Sequence, residues 1–189
     1  LDKSIKTRNW QAGEEAEKVE KELSKYLGVK YGILTTSGSC AALLAFSALE
    51  LPKGSEVIIS AVTFPTIFNI ILQCGLVPVV VDAKIGTYGF AIEDVEKAIT
   101  DKTRAIIAIH PLGNPVDLVA LRELADKHGI KIFLDNCDGL GTTFNGKKVE
   151  TYADIAISSF HAAHIISTAG VGGGVFTNDE KLAKNVRMY

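Results

Sequence analysis

The clearest indication of the fold is the stretch Ala105-Ile106-Ile107-Ala108-Ile109, together with the similar run Val77-Pro78-Val79-Val80-Val81. Both runs are short, apolar and rich in β-branched residues, and they lack the polar alternation of a half-exposed strand. Such runs are typical of strands buried on both faces, which occur in parallel sheets covered by helices on each side. The sequence therefore predicts an α/β fold of three layers, α/β/α, around a mostly parallel sheet.

The rest of the chain alternates between helical and strand signals. Apolar spacing predicts helices at 13–28, 40–49, 66–74, 92–99, 116–128 and from 179 onward, and strands at 31–35, 56–60, 78–81, 105–109, 131–134, 155–158 and 174–177. Asn145-Gly146 predicts a hairpin turn. The glycine-rich stretch 170–174 predicts close packing or a tight bend.

Composition excludes several classes of protein. The 189 residues are 47% hydrophobic and 22% charged, with 20 Lys and Arg against 22 Asp and Glu, so neither nucleic acid nor an anionic membrane is expected as a partner. Polar residues and prolines interrupt the uncharged stretch 57–81, which therefore predicts a buried strand, helix and strand rather than a membrane span. Cys40, Cys74 and Cys137 lack disulfide or zinc spacing, which favours a reducing, cytoplasmic setting.

Polar residues are concentrated where the predicted strands end. In open α/β sheets, ligands bind beyond the carboxyl ends of the strands, so these residues are the candidates for a functional site. They are Ser37, Gly38, Ser39, Thr63, Phe64, His110, Asn114, Asp135, Cys137, Asp138, Ser159, His161 and His164.

Two of these features have both a functional and a structural interpretation. The turn Ser37-Gly38-Ser39 opens a helix, where free backbone N–H groups favour a phosphate, but it is also consistent with an ordinary N-cap. Asp135 follows an apolar strand, where its carboxylate could pair with a ring nitrogen or a metal, or could serve as a turn residue.

His161 and His164 are three residues apart, which superficially suggests a metal pair. No third Cys, His or carboxylate ligand follows nearby in the sequence, so no metal site is predicted. Histidine is the side chain most often used to transfer protons in enzymes, and a general base is the better functional interpretation. A buried or stacking histidine is the structural alternative.

Several motifs occur in an order that resembles the DegT/DnrJ/EryC1/StrS aminotransferase family, the sugar-nucleotide branch of the fold-type I pyridoxal-phosphate enzymes. The resemblance runs from about Tyr26 to Arg187. The motifs are Thr36-Ser37-Gly38-Ser39-Cys40-Ala41-Ala42, Gly54-Ser55-Glu56-Val57-Ile58, Phe64-Pro65-Thr66, Val79-Val80-Val81-Asp82, His110-Pro111-Leu112-Gly113-Asn114, Asp135-Asn136-Cys137-Asp138 and Ser159-Phe160-His161.

The resemblance implies roles for individual residues around a pyridoxal 5′-phosphate or pyridoxamine 5′-phosphate cofactor. Gly38 and Ser39 match the phosphate-binding turn, and Ser159 matches a further phosphate contact. Phe64 matches the aromatic residue that stacks on the cofactor ring. Asp135 matches the partner of the pyridine nitrogen, and Asp138 lies in the same cofactor-binding motif.

One position departs from the aminotransferases of this family. The lysine that binds the cofactor covalently would occupy residue 164, where this chain has His164, and no lysine occurs between Lys148 and Lys181. Histidine at this place resembles the 3-dehydratases of nucleotide-linked 4-keto-6-deoxyhexoses. The resemblance therefore implies pyridoxamine-phosphate-dependent removal of the C3 hydroxyl with His164 as the catalytic base, in deoxysugar and surface polysaccharide biosynthesis. An aminotransferase with an altered lysine, or an inactive sugar-nucleotide-binding member, are the alternatives.

The resemblance also carries expectations about organisation and partners. Residues 29–189 are expected to form the cofactor-binding large domain, truncated before a small C-terminal domain, and residues 1–28 an N-terminal segment with a helix. The substrate implied is a nucleotide-linked 4-keto-6-deoxyhexose, and a homodimer is expected. A 2Fe-2S cluster, bound by residues beyond this chain, and a reductase partner belong to one branch of the family.

Overall fold

The computed structural model describes residues 13–168 and 170–189. The helices are α1 (Glu14–Leu27), α2 (Gly38–Ala48), α3 (Pro65–Gln73), α4 (Ile92–Ala98), α5 (Leu118–His128) and α6 (Glu180–Met188). The strands are β1 (Tyr31–Thr35), β2 (Glu56–Ser60), β3 (Val77–Val81), β4 (Thr103–Ile109), β5 (Lys131–Asp135), β6 (Thr143–Phe144), β7 (Lys147–Lys148), β8 (Ile155–Ser159) and β9 (Gly173–Thr177). Within these ranges, no helix combines the length and the apolar character needed to cross a membrane.

Seven strands form one sheet in the order β1-β9-β8-β5-β4-β2-β3. Neighbours from β8 to β3 are parallel, and β9 runs antiparallel to both β8 and β1. One hydrophobic core lies between the sheet and α2, α3 and α6, and a second lies between the opposite face and α1, α4 and α5. The predicted three-layer α/β/α fold with a mostly parallel sheet is confirmed.

Local capping explains where the helices begin. The Ser37 side chain accepts a hydrogen bond from the N–H of Cys40, so α2 begins at Gly38, two residues before the predicted start. Asp117 accepts from the N–H groups of two residues in the first turn of α5, so that helix begins two residues later than predicted.

The prediction that 77–81 is buried on both faces is wrong. β3 lies at the edge of the sheet, where β2 is its single neighbouring strand. The side chains of Val77 and Val80 are 46% and 53% exposed. An apolar run shows that a segment forms a strand, but it does not show whether that strand is central or at an edge. The corresponding prediction for β4 is correct, since Ala105, Ile106, Ile107 and Ala108 are fully buried.

The two predicted turn features are confirmed. β6 and β7 pair as an antiparallel hairpin, with positive φ angles at Asn145 and Gly146, the backbone that this dipeptide favours. The glycine-rich stretch allows close packing, because β9 enters the sheet between β1 and β8 with Gly173 opposite both Thr35 and Ser159. This register brings the turn after β1 next to the end of β8.

Candidate active site

A cavity of about 600 Å³ opens at the carboxyl ends of the parallel strands. Its volume suits a small organic ligand. All but one of the strand-end residues singled out from the sequence line this cavity. The lining residues are Ser37, Gly38, Ser39, Val62, Thr63, Phe64, Pro65, Ile67, Ile109, His110, Pro111, Asp135, Cys137, Asp138, Ile157, Ser159, His161, Ala163 and His164. The exception is Asn114, whose side-chain amide donates to the carbonyl of Thr87 instead.

The N-terminus of α2 forms one end of the cavity. The first backbone N–H groups of a helix have no partner within it and, with the helix dipole, they attract anions. Gly38 lies so close to β8 that an added Cβ would be 2.7 Å from the Cβ of Ser159. A ligand can therefore approach the backbone of Gly38 and Ser39 and the hydroxyl of Ser159 together.

Gly173 packs directly against the backbone of this turn. A Cβ at Gly173 would lie 2.4 Å from the carbonyl carbon of Ser37 and 2.6 Å from the nitrogen of Gly38. These are backbone atoms, so the clash cannot be relieved by rotating a side chain.

We expect Gly173→Ala to lower the free energy of unfolding by about 1–3 kcal/mol, because overpacking forces the turn and β9 apart. Urea unfolding measures this change. Gly170→Ala is the matched control, since a Cβ at Gly170 meets no described atom within 4 Å. Equal stability of the two variants would contradict the close packing of β9 under the turn.

Asp135 is the last residue of β5, and 6% of it is exposed. Its Oδ1 accepts a hydrogen bond of 3.1 Å from the N–H of Cys137. Burial raises the pKa of the Asp135 carboxyl above its ordinary value, and the hydrogen bonds from Cys137 oppose this in part. The residues that line the cavity include no lysine or arginine in the described part of the chain, so a cationic ligand group would provide the missing counter-charge.

Phe64 and Thr63 form another wall, after β2. Phe64 is the N-cap residue of α3, and 66% of it is exposed. The Thr63 hydroxyl is buried and has no hydrogen-bond partner among the described residues. A ligand would therefore find an open aromatic face and an available hydroxyl side by side.

His164 and His161 lie on the loop after β8. The Nδ1 atom of His164 is 3.1 Å from Oδ1 of Asp138. The two imidazole rings are 6.2 Å apart between centroids, with their planes at 74°. Asp138, expected to bind the cofactor, thus contacts a neighbouring histidine in this structure, which fixes the orientation of the His164 ring.

His110 is one of the residues that line the cavity, and it is fully buried. Neither ring nitrogen makes a hydrogen bond of good geometry within the described residues. Burial lowers the pKa of His110 to about 4, and the nearby Asn136 amide acts in the opposite direction. Asn136 in turn donates a 2.7 Å hydrogen bond to Oε1 of Glu150, so a group of buried polar side chains extends from the cavity wall into the protein.

The low pKa of His110 predicts a loss of stability in acid. In the unfolded chain, His110 binds a proton below about pH 6.5, whereas in the folded chain it does so only below about pH 4. The free energy of unfolding therefore falls as the pH falls through this window. We expect the wild type to lose about 2 kcal/mol more than His110→Gln between pH 7.5 and pH 5, measured by urea unfolding at each pH. Buried carboxyls such as Glu150, whose pKa is raised, act in the opposite direction but occur in both proteins. Identical pH dependence in the two proteins would show that His110 titrates normally.

Sequence reasoning missed the apolar part of the cavity. Val62, Ile67, Ile109 and Ile157 look like core residues in the sequence, because each belongs to or adjoins an apolar strand or helix. The sequence carries no signal that separates an apolar cavity wall from a packed interior. Cys137 and Thr63 lie at strand ends, but the sequence assigns no role to either side chain.

Curated relatives of this chain are longer than the chain itself. It is 44% identical over 178 residues to the lipopolysaccharide biosynthesis protein RfbH of Salmonella typhimurium, covering 90% of this chain and 40% of the relative. It is 41% identical over 181 residues to the dTDP-4-dehydro-2,6-dideoxy-D-glucose 3-dehydratase of Saccharopolyspora spinosa, covering 92% and 39%. The chain thus spans about two fifths of the length of these relatives.

Solved structures share the fold closely. The E. coli GDP-4-keto-6-deoxy-D-mannose-3-dehydratase with bound hydrated PLP superposes with a TM-score of 0.91 at 32% identity, covering 96% of this chain and 48% of that one. NtdA from Bacillus subtilis, with bound cofactor PMP, superposes with a TM-score of 0.92 at 34% identity, covering 98% and 42%.

The family comparison agrees with these relatives. The model of the DegT/DnrJ/EryC1/StrS aminotransferase family matches residues 1–189, which is the whole chain. With this match, and with a relative that is 44% identical over 90% of the chain, the chain belongs to the DegT/DnrJ/EryC1/StrS aminotransferase family.

Proposed function

We propose that this chain forms the cofactor-binding part of a pyridoxamine-phosphate-dependent enzyme that removes the C3 hydroxyl of a nucleotide-linked 4-keto-6-deoxyhexose. One observation carries the proposal: His164, and not lysine, lies in the cavity, held by Asp138. The similarity to one named 3-dehydratase by sequence and to another by structure supports it. Residues 29–189 would be the cofactor domain in this assignment.

The cavity fits a pyridoxamine phosphate. A cofactor phosphate would be held by the first N–H groups of α2 at Gly38 and Ser39 and by the Ser159 hydroxyl, where a Cβ on Gly38 would block the approach. The exposed Phe64 ring would stack on the aromatic ring of the cofactor. A protonated pyridine nitrogen would give Asp135 a cationic partner, since no lysine or arginine among the described residues lines the cavity.

When bound, pyridoxamine phosphate supplies an amine that condenses with the 4-keto group of the sugar and a ring that accepts an electron pair. Asp135 keeps a proton on the pyridine nitrogen by accepting its hydrogen bond. His164, with Nδ1 directed at Asp138, presents Nε2 as the atom that takes a proton from carbon. Because an imidazole cannot form the covalent link that a lysine amine forms, the cofactor amine stays free to react with the sugar.

The apolar walls contribute to the same reaction. Val62, Ile109 and Ile157 line the cavity beside the polar residues. Apolar walls exclude water and so strengthen the charge interactions made by Asp135 and His164.

The proposal also includes the assembly and the location of the enzyme. We propose that it acts as a homodimer, that its substrate is a nucleotide-linked sugar, and that the reaction takes place in the cytoplasm.

Cofactor trapping separates this function from the two alternatives. The full-length protein is mixed with pyridoxal phosphate, reduced with borohydride and analysed by peptide mass mapping. We expect no pyridoxyl group on 149–180, and a tightly held absorbance band with pyridoxamine phosphate. A reducible link to a lysine in the active site would favour an aminotransferase, and failure to bind any B6 vitamer would favour an inactive family member.

A further inference from the structure

Two polar side chains of the cavity wall have no hydrogen-bond partner in the described part of the chain. The Thr63 hydroxyl and both ring nitrogens of His110 are buried, and none of these atoms makes a hydrogen bond of good geometry to a described residue. The remaining described side chains with such an atom, Arg122, Asn136 and Glu150, do not line the cavity. A buried polar group without a partner costs free energy, so a ligand that supplies a partner at Thr63 and His110 gains affinity.

The order of the strands places Thr63 and His110 on one side of Asp135. Asp135 ends β5, whose neighbours are β8, which ends at Ser159, and β4, which His110 follows. The backbone N–H of His110 donates to the carbonyl of Asp135 at 3.3 Å, so these two residues lie side by side. The next strand beyond β4 is β2, which leads to Thr63. Thr63 and His110 therefore lie on the opposite side of Asp135 from Ser159.

The shape of pyridoxamine phosphate fits this arrangement. Its pyridine ring carries the phosphate arm on C5 and a hydroxyl on C3, on opposite sides of the axis through the ring nitrogen. With the ring nitrogen at Asp135 and the phosphate at Ser159, as in the proposed function, the C3 oxygen is directed toward the end of β4. Neighbouring strands lie about 4.8 Å apart, which is the scale of a substituted pyridine ring. The C3 oxygen can thus reach the residues that follow β4 and β2.

The chemistry of this oxygen matches the two side chains. A positive charge on the ring nitrogen favours ionisation of the C3 hydroxyl, because opposite charges stabilise each other, and the oxygen anion then accepts hydrogen bonds. Thr63 has an O–H to donate. Burial lowers the pKa of His110 to about 4, so near pH 7 its ring is neutral and carries one N–H, which can be on either nitrogen. Both side chains can therefore donate a hydrogen bond to the oxygen without transferring a proton.

We propose that Thr63 and His110 form the subsite for the C3 oxygen of the cofactor ring, an assignment that rests on the proposed binding of pyridoxamine phosphate. Thr63 Oγ1 and one ring nitrogen of His110 donate hydrogen bonds to this oxygen. These two contacts prevent the ring from rotating about its phosphate arm, and so they keep the ring nitrogen at Asp135.

Removal of the C3 oxygen from the ligand, and of the donors from the protein, tests this subsite. The probes are pyridoxamine phosphate and its 3-deoxy analogue, titrated calorimetrically into the full-length protein. We expect the wild type to bind pyridoxamine phosphate about 100-fold more tightly than the analogue, since each hydrogen bond to a charged group contributes roughly 10-fold. Thr63→Val and His110→Leu should each reduce this preference about 10-fold. His128→Leu, at an exposed site at the end of α5, is the matched control and should keep the full preference.

Nitrogen-15 NMR of protein labelled at histidine reports on the contact itself and does not depend on activity. We expect pyridoxamine phosphate, and not the 3-deoxy analogue, to shift a ring-nitrogen signal that is missing from His110→Leu. An unchanged preference in either variant, or an equal loss of affinity for both ligands, would overturn the subsite and leave the proposed function intact. A wild type that binds neither ligand would overturn the proposed function, and the subsite with it.

Discussion

His164→Asn is expected to lower the single-turnover rate of C3 dehydration about 1000-fold, because the amide cannot accept the proton that His164 Nε2 takes in the proposed reaction. Rapid-quench assays of the sugar product measure this rate. His164 is partly enclosed, with 22% of its side chain exposed, so an asparagine fits the space and can still hydrogen bond to Asp138. The affinity for pyridoxamine phosphate is expected to stay within a small factor of wild type.

His164→Lys tests whether a side chain at residue 164 reaches the cofactor, independently of whether residue 164 acts as a base. If residue 164 occupies the place of the family lysine, this variant should form a borohydride-reducible link to pyridoxal phosphate at residue 164. Rapid dehydration by His164→Asn would remove His164 from the mechanism. Failure of His164→Lys to form the link, with an intact fold, would show that the side chain does not reach the cofactor.

Asp135→Asn is expected to raise the Kd for pyridoxamine phosphate roughly 100-fold, or about 3 kcal/mol, because a neutral amide would take the place of the carboxylate in the proposed hydrogen bond to the pyridine nitrogen. Fluorescence or absorbance titration measures this affinity. Asp135 is buried with its Oδ1 facing the N–H of Cys137, and an asparagine oxygen can accept the same bond. Ser158→Ala, at a buried site one strand away, is the control and should leave the affinity unchanged.

Asp135→Asn should stabilise the cofactor-free protein, although it weakens the binding of the cofactor. Burial raises the pKa of Asp135 in the folded state, so the folded chain binds a proton more readily than the unfolded chain. The wild type therefore loses stability as the pH rises from the unfolded pKa through the raised folded pKa. Asp135→Asn lacks this loss and should be more stable than wild type at pH 7. A less stable variant with unchanged cofactor affinity would contradict both the burial cost and the proposed role.

The sequence predicted which segments form strands better than it predicted where each strand lies in the sheet. The apolar run of β4 and its complete burial agree, because a central strand has neighbours and helices on all sides. The similar run of β3 lies at an edge with Val80 half exposed, since burial there depends on which strands lie beside it. That information is in the topology and not in the local pattern.

The candidate site was predictable where a residue lies at a strand end and unpredictable where loops or register bring residues together. Asp135 and Ser159 end parallel strands, so their meeting at one edge follows from the fold class. The pairing of Asp138 with His164 joins two loops that are 26 residues apart in sequence, and no local pattern predicts it. The contact of Gly173 with the turn at Ser37 likewise depends on the register of β9 between β1 and β8.

The proposed dehydration is tested by a single turnover of the full-length enzyme, loaded with pyridoxamine phosphate, on a nucleotide-linked 4-keto-6-deoxyhexose labelled with oxygen-18 at C3. Mass spectrometry follows the label. We expect the label to appear in water and the sugar to lose its C3 oxygen, with no reaction when the cofactor is omitted. Transfer of the cofactor amine to a sugar that keeps the labelled oxygen would contradict it and identify an aminotransferase.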